Sequence, residues 1–181
     1  MSKSYDAGSS LSQKIIAGVD KLADNVASTL GPRGRNVIIK QAGKRPIITK
    51  DGVTVAEFVD LDDPFEDVGA QIIKQASRQT NTVAGDGTTT ATVLARAILH
   101  GAQRHIVAGA SPIDVKREID ATVEDYVKNL KEMARPIQSE EDIAHIATIS
   151  ANNDETIGKL VAKAVDCVGK DGSILVEEAR S

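Results

Sequence analysis

Gly85 and Gly87 flank Asp86, three threonines (Thr88, Thr89, Thr90) follow, and an apolar helical run begins at Ala91. Glycine lets the backbone bend where other residues clash and brings its N–H groups close to a ligand. The start of a helix leaves N–H groups unpaired and carries partial positive charge, which makes it a ready anion site. Threonine hydroxyls add donors and acceptors where phosphate oxygens or a metal would sit. A bare carboxylate beside a phosphate is repelled, so Asp86 fits best with a hard cation between the two. Mg²⁺ takes few protein carboxylates and keeps several waters. The chemistry implied is a Mg-nucleotide phosphate site, with Asp86 on the metal and Gly87, Thr88, Thr89 and Thr90 on the phosphates. A turn followed by a threonine-rich helix start accounts for the same residues equally well. The stretch lacks the Gly-Lys-Ser/Thr ending of a Walker A loop and is not a full Gly-x-Gly-x-x-Gly fingerprint.

Two other stretches have types worth weighing. Thr29-Leu30-Gly31-Pro32 reads as a helix C-terminus, which by itself repels anions. Lys50-Asp51-Gly52 reads as a surface turn with a local ion pair. His100 and His105 have no matching cysteine or carboxylate cluster and read as structural or surface residues. The single cysteine, Cys167, excludes an internal disulfide, and its apolar surroundings suggest a buried, inert thiol.

The elements that must position these residues follow from periodicity. Leu11, Ile15, Val19, Leu22, Val26 and Leu30 recur at helical steps, predicting a helix over 11–29 that starts on a Ser10/Gln13 capping box and stops at Gly31-Pro32. Residues 36–40 and 45–49 form a hairpin around Gly43. Residues 55–63 read as a short strand or loop. Phe65, Val68, Ile72, Ala76 and Val83 predict a helix from Pro64 to about residue 82, and Leu94, Ile98, Gly101 and His105 mark one stripe of a helix over 88–107. Ser111 and Pro112 open a helix running to about residue 134. Beyond a boundary near residue 135, Ser139 caps a helix to about residue 149. A further helix ends at Val168, with Ile157, Leu160, Val161, Ala164 and Val165 inward. An alternating strand, 173–177, closes the sequence without a nearby partner, which suggests missing chain or another subunit.

Composition excludes several classes. The 181 residues are 41% apolar and 27% charged, ordinary for a soluble domain or two. Twenty-two basic against 26 acidic residues leave a net charge of −4, against a nucleic-acid partner. Aromatic residues make up 2% with no Trp, so base-stacking platforms are not expected. No apolar run approaches the length of a membrane span, and the N-terminus has no signal core, so a cytoplasmic location is expected by default.

Gly85 to Leu94, Thr29 to Val37, Ile48 to Val53 and Thr148 to Asn152, in this order, resemble the motifs of group I chaperonins, the bacterial GroEL type. The resemblance runs along nearly the whole chain and covers about the first third of such a protein. It implies a mainly α fold. Residues 1–134 would be the first part of the equatorial, ATP-binding domain, a multihelical segment with a small β-hairpin. Residues 135–181 would be the first limb of an α+β intermediate domain. The apical domain and the C-terminal equatorial part fall outside it. The resemblance further implies ATP/ADP with Mg²⁺, and a K⁺ ion held partly by backbone oxygens. It places Thr29, Leu30, Gly31 and Pro32 against phosphate through backbone groups, Lys50 at a nucleotide contact, and Asp51 near the terminal phosphate and the attacking water. Arg33 stands where many relatives carry Lys, and no role is attached to it. The parent would be a ring homo-oligomer, an ATPase that encloses unfolded client proteins with a lid co-chaperonin. The family's principal catalytic aspartate lies in a segment outside the resemblance. Two other readings stand beside this one. The chain could be a non-enzymatic assembly or interaction module that binds nucleotide weakly or not at all. A small unrelated phosphotransferase would need a base pocket that the sequence does not offer.

Overall fold

The computed structural model describes residues 5–31, 33–41, 43–169 and 172–175. Among these residues the order is α1 (Gly8–Ala27), β1 (Val37–Ile39), β2 (Ile47–Thr49), α2 (Gly52–Glu57), α3 (Pro64–Ala84), α4 (Thr88–Val107), α5 (Pro112–Met133), α6 (Glu140–Ser150) and α7 (Glu155–Val168). Two compact units divide within α5, between Ala121 and Thr122.

In the first unit, Val19, Leu22, Ala23 and Val26 form the fully buried stripe of α1. The helix begins three residues earlier than expected, after Ala7, and Ser10 is not its cap. Asp6 organises this turn instead. Its carboxylate accepts from the Ala7 N–H at 2.8 Å and pairs with Lys14 at 3.1 Å, and the Ser10 hydroxyl donates to it at 3.3 Å. The hairpin is antiparallel, with Val37 opposite Thr49 and Ile39 opposite Ile47.

Residues 52–57 are helical, where a strand or loop was expected from residue 55. The cap and core burial decide this together. Asp51 accepts from the N–H of Val53 at 3.3 Å and of Thr54 at 3.0 Å, and from the Thr54 hydroxyl at 2.6 Å. A side-chain cap is worth about 1 kcal/mol, which offsets part of the weak helix preference of Val53, Thr54 and Val55, roughly 0.5–0.7 kcal/mol each against alanine. Burial of Val55 and Ala56 adds to it.

Helix α3 has an Asp63 cap, Pro64 in its first turn and Glu66 and Asp67 near its positive end. It crosses α1 at glycines. A Cβ on Gly18 would lie 1.8 Å from the Glu66 carbonyl oxygen, and one on Gly69 would lie 2.0 Å from that of Ile15. The backbones therefore touch. That close approach selects which face of α3 is buried. Gly69, Ala70, Ile73, Lys74 and Ser77 face inward, while Val68, Ile72 and Val83 of the expected stripe are exposed. The same offset appears on α4. Leu94 and Ile98 are 56% and 47% exposed, whereas Thr88 and Thr92 are buried and Ala95 and Leu99 pack on the core. Arg96 pairs with Asp24, and His100 Nε2 lies 2.7 Å from Asp20 Oδ1, tying α4 to α1. The core joins Val19, Leu22, Val26, Val55, Ala56, Ala70 and Ile73.

In the second unit, Ser139 and Asp142 form a reciprocal capping box on α6, and Asp154 caps α7. Asn152 and Asn153 take positive φ in the turn between them. The two helices meet at Gly158, where a Cβ would lie 1.9 Å from the Thr148 hydroxyl oxygen. Small residues again mark the contact. Gly158 and Ala162 are buried, and Ile157 and Leu160, expected inward, are exposed. Cys167 is exposed rather than buried, because it sits off the Gly158/Ala162 face. Residues 173–175 are not in a strand, and the rest of the expected strand lies outside the described residues.

Candidate functional site

Gly85 ends α3 at φ 71°, its N–H donating to the Asn81 carbonyl at 2.9 Å. Gly87 precedes α4 at φ 81°. Both conformations are left-handed and favour glycine. They let one helix stop and the next begin within three residues. Gly87 brings no side chain to cap α4, so the helix start keeps the donor character of its first turn. Asp86 is exposed at this corner, and its Oδ1 accepts from the Gly87 N–H at 2.6 Å. Of the threonines that follow, Thr88 is buried, Thr89 half-buried and Thr90 exposed.

Gly52 connects this corner to the second candidate stretch. A Cβ there would lie 2.1 Å from Thr89 Oγ1 and 3.3 Å from Val26 Cγ1. The first residue of α2 therefore touches both the start of α4 and the end of α1. Asp51 is the neighbouring residue. Its carboxylate caps α2, and the expected local ion pair with Lys50 is not formed. Lys50 is exposed and makes no ion pair among the described residues.

The Thr29 loop joins through Val26. Thr29 is buried, and its hydroxyl donates to the Val26 carbonyl at 2.7 Å. The N–H of Leu30 returns to Ala27 O at 3.0 Å, and Gly31, at φ 77°, accepts from the Gly34 N–H at 2.9 Å. A Cβ on Gly34 would lie 2.1 Å from Thr29 O. The loop is thus folded tightly over the helix end, with Leu30 and Gly31 exposed. Pro32 lies outside the described residues.

These side chains have the chemistry that a phosphate with a hard cation would need, while no group of three or more His, Cys, Asp or Glu that could hold a metal occurs among the described residues. Asp86 and Asp51 supply carboxylates, Thr89 and Thr90 supply hydroxyls, and the missing Cβ of Gly52 leaves the Thr89 hydroxyl room against α2. Sequence reasoning missed a second set of charged residues behind α2. Arg78 pairs with Glu57, and the buried Lys74 reaches the Glu57 carbonyl at 3.4 Å and Asp60 at 3.3 Å. The available signal was a lysine in register with Ala70, Ile73 and Ser77 on one face of α3.

The profile of the TCP-1/cpn60 chaperonin family matches residues 22–180. The chain belongs to that family. Solved chaperonins agree. A group III chaperonin in the open state superposes with a TM-score of 0.73 at 25% identity, over 89% of this chain and 32% of its own. The chaperonin gp146 of bacteriophage EL 2 (Pseudomonas aeruginosa), crystallised in presence of ATP-BeFx, gives 0.71 at 29% identity, over 87% of this chain and 28% of its own. This chaperonin chain therefore spans about a third of the length of the relatives it matches. Its mainly helical architecture with a small antiparallel hairpin is that of the chaperonin equatorial domain.

Proposed function

We propose that this chain is the N-terminal, nucleotide-binding portion of a group I type chaperonin. Residues 1–134 would belong to its equatorial domain and residues 135–181 to the first limb of its intermediate domain. The contact of Gly52 with Thr89 carries the reading, because it joins the Lys50-Asp51 turn to the Asp86–Thr90 corner in one unit. The crystallisation of a phage relative in presence of ATP-BeFx supports a nucleotide as the ligand class.

In this reading Asp86 holds Mg²⁺, and Gly87, Thr88, Thr89 and Thr90 bind phosphate through backbone and hydroxyl groups. The exposed Leu30-Gly31 edge of the Thr29–Pro32 loop and Lys50 bound the phosphates on other sides. Asp51 orients water while capping α2. When bound, the cation neutralises phosphate charge, and the protein's part is positioning and electrostatics rather than covalent chemistry. In the full-length parent, ATP hydrolysis in a ring oligomer would drive the folding of enclosed clients.

A second reading, an assembly module, draws on α5. None of its residues is buried, and Tyr126, Leu130 and Met133 are exposed. Calorimetry with Mg-ATP separates the two. Binding by the chain that is lost in Asp86→Ala supports the phosphate site. No binding by the unaltered chain leaves the assembly module.

A further inference from the structure

Helix α2 has Asp51 at one end and Glu57 at the other. Arg78 Nε and Nη2 donate in parallel to Glu57 Oε1 and Oε2, a bidentate pair. Beneath it, Lys74 is 2% exposed and donates to the Glu57 carbonyl and the Asp60 carboxylate. Arg78 lies about two turns of α3 before the Gly85–Asp86 corner. A closed path results: Asp51, α2, Glu57, Arg78, α3, Asp86.

We propose that the Arg78–Glu57 pair, seated on Lys74, is a latch that sets where α2 stands on α3 and so fixes Asp51 and Gly52 against the Asp86–Thr89 corner. The functional part rests on the phosphate-site reading; the positional part does not. Glu57 and Arg78 are positioning residues, since neither belongs to the corner itself. The geometry gives the lever. Helix α2 is about 9 Å long, and a tilt of about 10° at its Glu57 end would carry Asp51 by about 1.5 Å. Displacements of that size are costly where groups must be aligned. Burial of Val55 and Ala56 still holds the helix in the core, so the displacement is limited rather than a detachment.

The alternative is an ordinary surface ion pair. The two side chains are 54% and 37% exposed, and such pairs add little to global stability. The two roles therefore separate in one experiment. Arg78→Gln, Glu57→Gln and the charge-swapped Glu57→Arg/Arg78→Glu are made in the 181-residue chain. Amide NMR resonances of Gly52 and Thr89 are recorded without ligand, Mg-ADP affinity is measured by calorimetry, and melting is followed. The latch predicts melting within about 3 °C of the unaltered chain. It predicts shifted Gly52 and Thr89 resonances and a Kd for Mg-ADP raised about tenfold in each single variant, both largely restored by the swap. Unmoved Gly52 and Thr89 resonances in Arg78→Gln overturn the latch, whatever the affinity. Moved resonances with a Kd unchanged within about twofold overturn its functional part. If the unaltered chain does not bind Mg-ADP, the phosphate-site reading falls, and the resonances alone decide the positional claim.

Discussion

Replacing Gly69 by alanine tests the α1–α3 crossing on which the first unit is built. The added Cβ would stand 2.0 Å from the Ile15 carbonyl oxygen, 2.8 Å from its carbon and 3.0 Å from Ile15 Cα. All three obstacles are backbone, so no side-chain rotation relieves them. Ordinary C···O contact needs about 3.3 Å. The helices must therefore separate by on the order of 1 Å, and the packing of Val19, Leu22, Ala70 and Ile73 loosens with them. Overpacking costs about 1–3 kcal/mol when side chains can adjust, and more when backbones must part. The better helix propensity of alanine returns about 1 kcal/mol. The expected net loss is about 3 kcal/mol. Gly101→Ala is the matched control: it is also a helical glycine, but its Cβ would meet nothing within 4 Å. That change should stabilise by about 0.5–1 kcal/mol. Urea denaturation, followed at the amides of Leu22 and Ile73, reads the first unit by itself. A Gly69→Ala chain within about 1 kcal/mol of the unaltered one, or a Gly101→Ala chain that loses as much, would refute a backbone-limited crossing.

Two further outcomes follow from single groups. The Ser77 hydroxyl is buried with no hydrogen-bond partner, so Ser77→Ala should be neutral or stabilising by up to about 1 kcal/mol in the same urea experiment; a marked loss would mean that the hydroxyl is satisfied in solution. The Asp142 carboxyl is held below its usual 3.8 by the Gln138 N–H, and then by the Ser139 hydroxyl and N–H. A lowered folded value means that its contribution to α6 is whole above pH 3.8 and fades as pH falls through the lower folded value. Helicity of α6 read by NMR between neutral and acid pH should show that loss, and Asp142→Asn should abolish it; an unchanged acid profile in the variant would sink the assignment.

The ends of the elements were more legible than their faces. Pro64 and Ser139 each announce a helix start by chemistry acting within a few residues, and the structure uses both, although the Ser10/Gln13 box on α1 goes unused. The hairpin was likewise local. Faces depend on the partner. Helices α3 and α4 each carry two apolar registers, and the sequence does not say which one meets α1. The glycine crossing answers it on α3, admitting Ala70 and Ile73 and leaving Val68 and Ile72 outside. The same logic puts Gly158 and Ala162 inward on α7 and leaves Cys167 exposed. Helix α2 was hidden because β-branched residues read as strand, while a carboxylate cap and the burial of Val55 and Ala56 together decide otherwise. In the candidate site, the Gly85–Thr90 corner was readable as a local pattern. Its meeting with Gly52 was not, since it arises from packing between residues far apart in sequence. Lys74 was visible as a charge on an apolar stripe, but its partners Glu57 and Asp60 become apparent only once α2 is placed.

The proposed site is the Asp86–Thr90 corner, joined to Gly52, with nucleotide phosphate and Mg²⁺ as its ligands. The most direct measurement is a titration of the chain with Mg-ADP followed by amide NMR spectra. A phosphate site there gives saturable shifts centred on Leu30, Gly31, Gly52 and Gly85 to Thr90, weakened without Mg²⁺ and lost in Asp86→Ala. Saturable shifts centred elsewhere, shifts that persist in Asp86→Ala, or no shifts at all would contradict it.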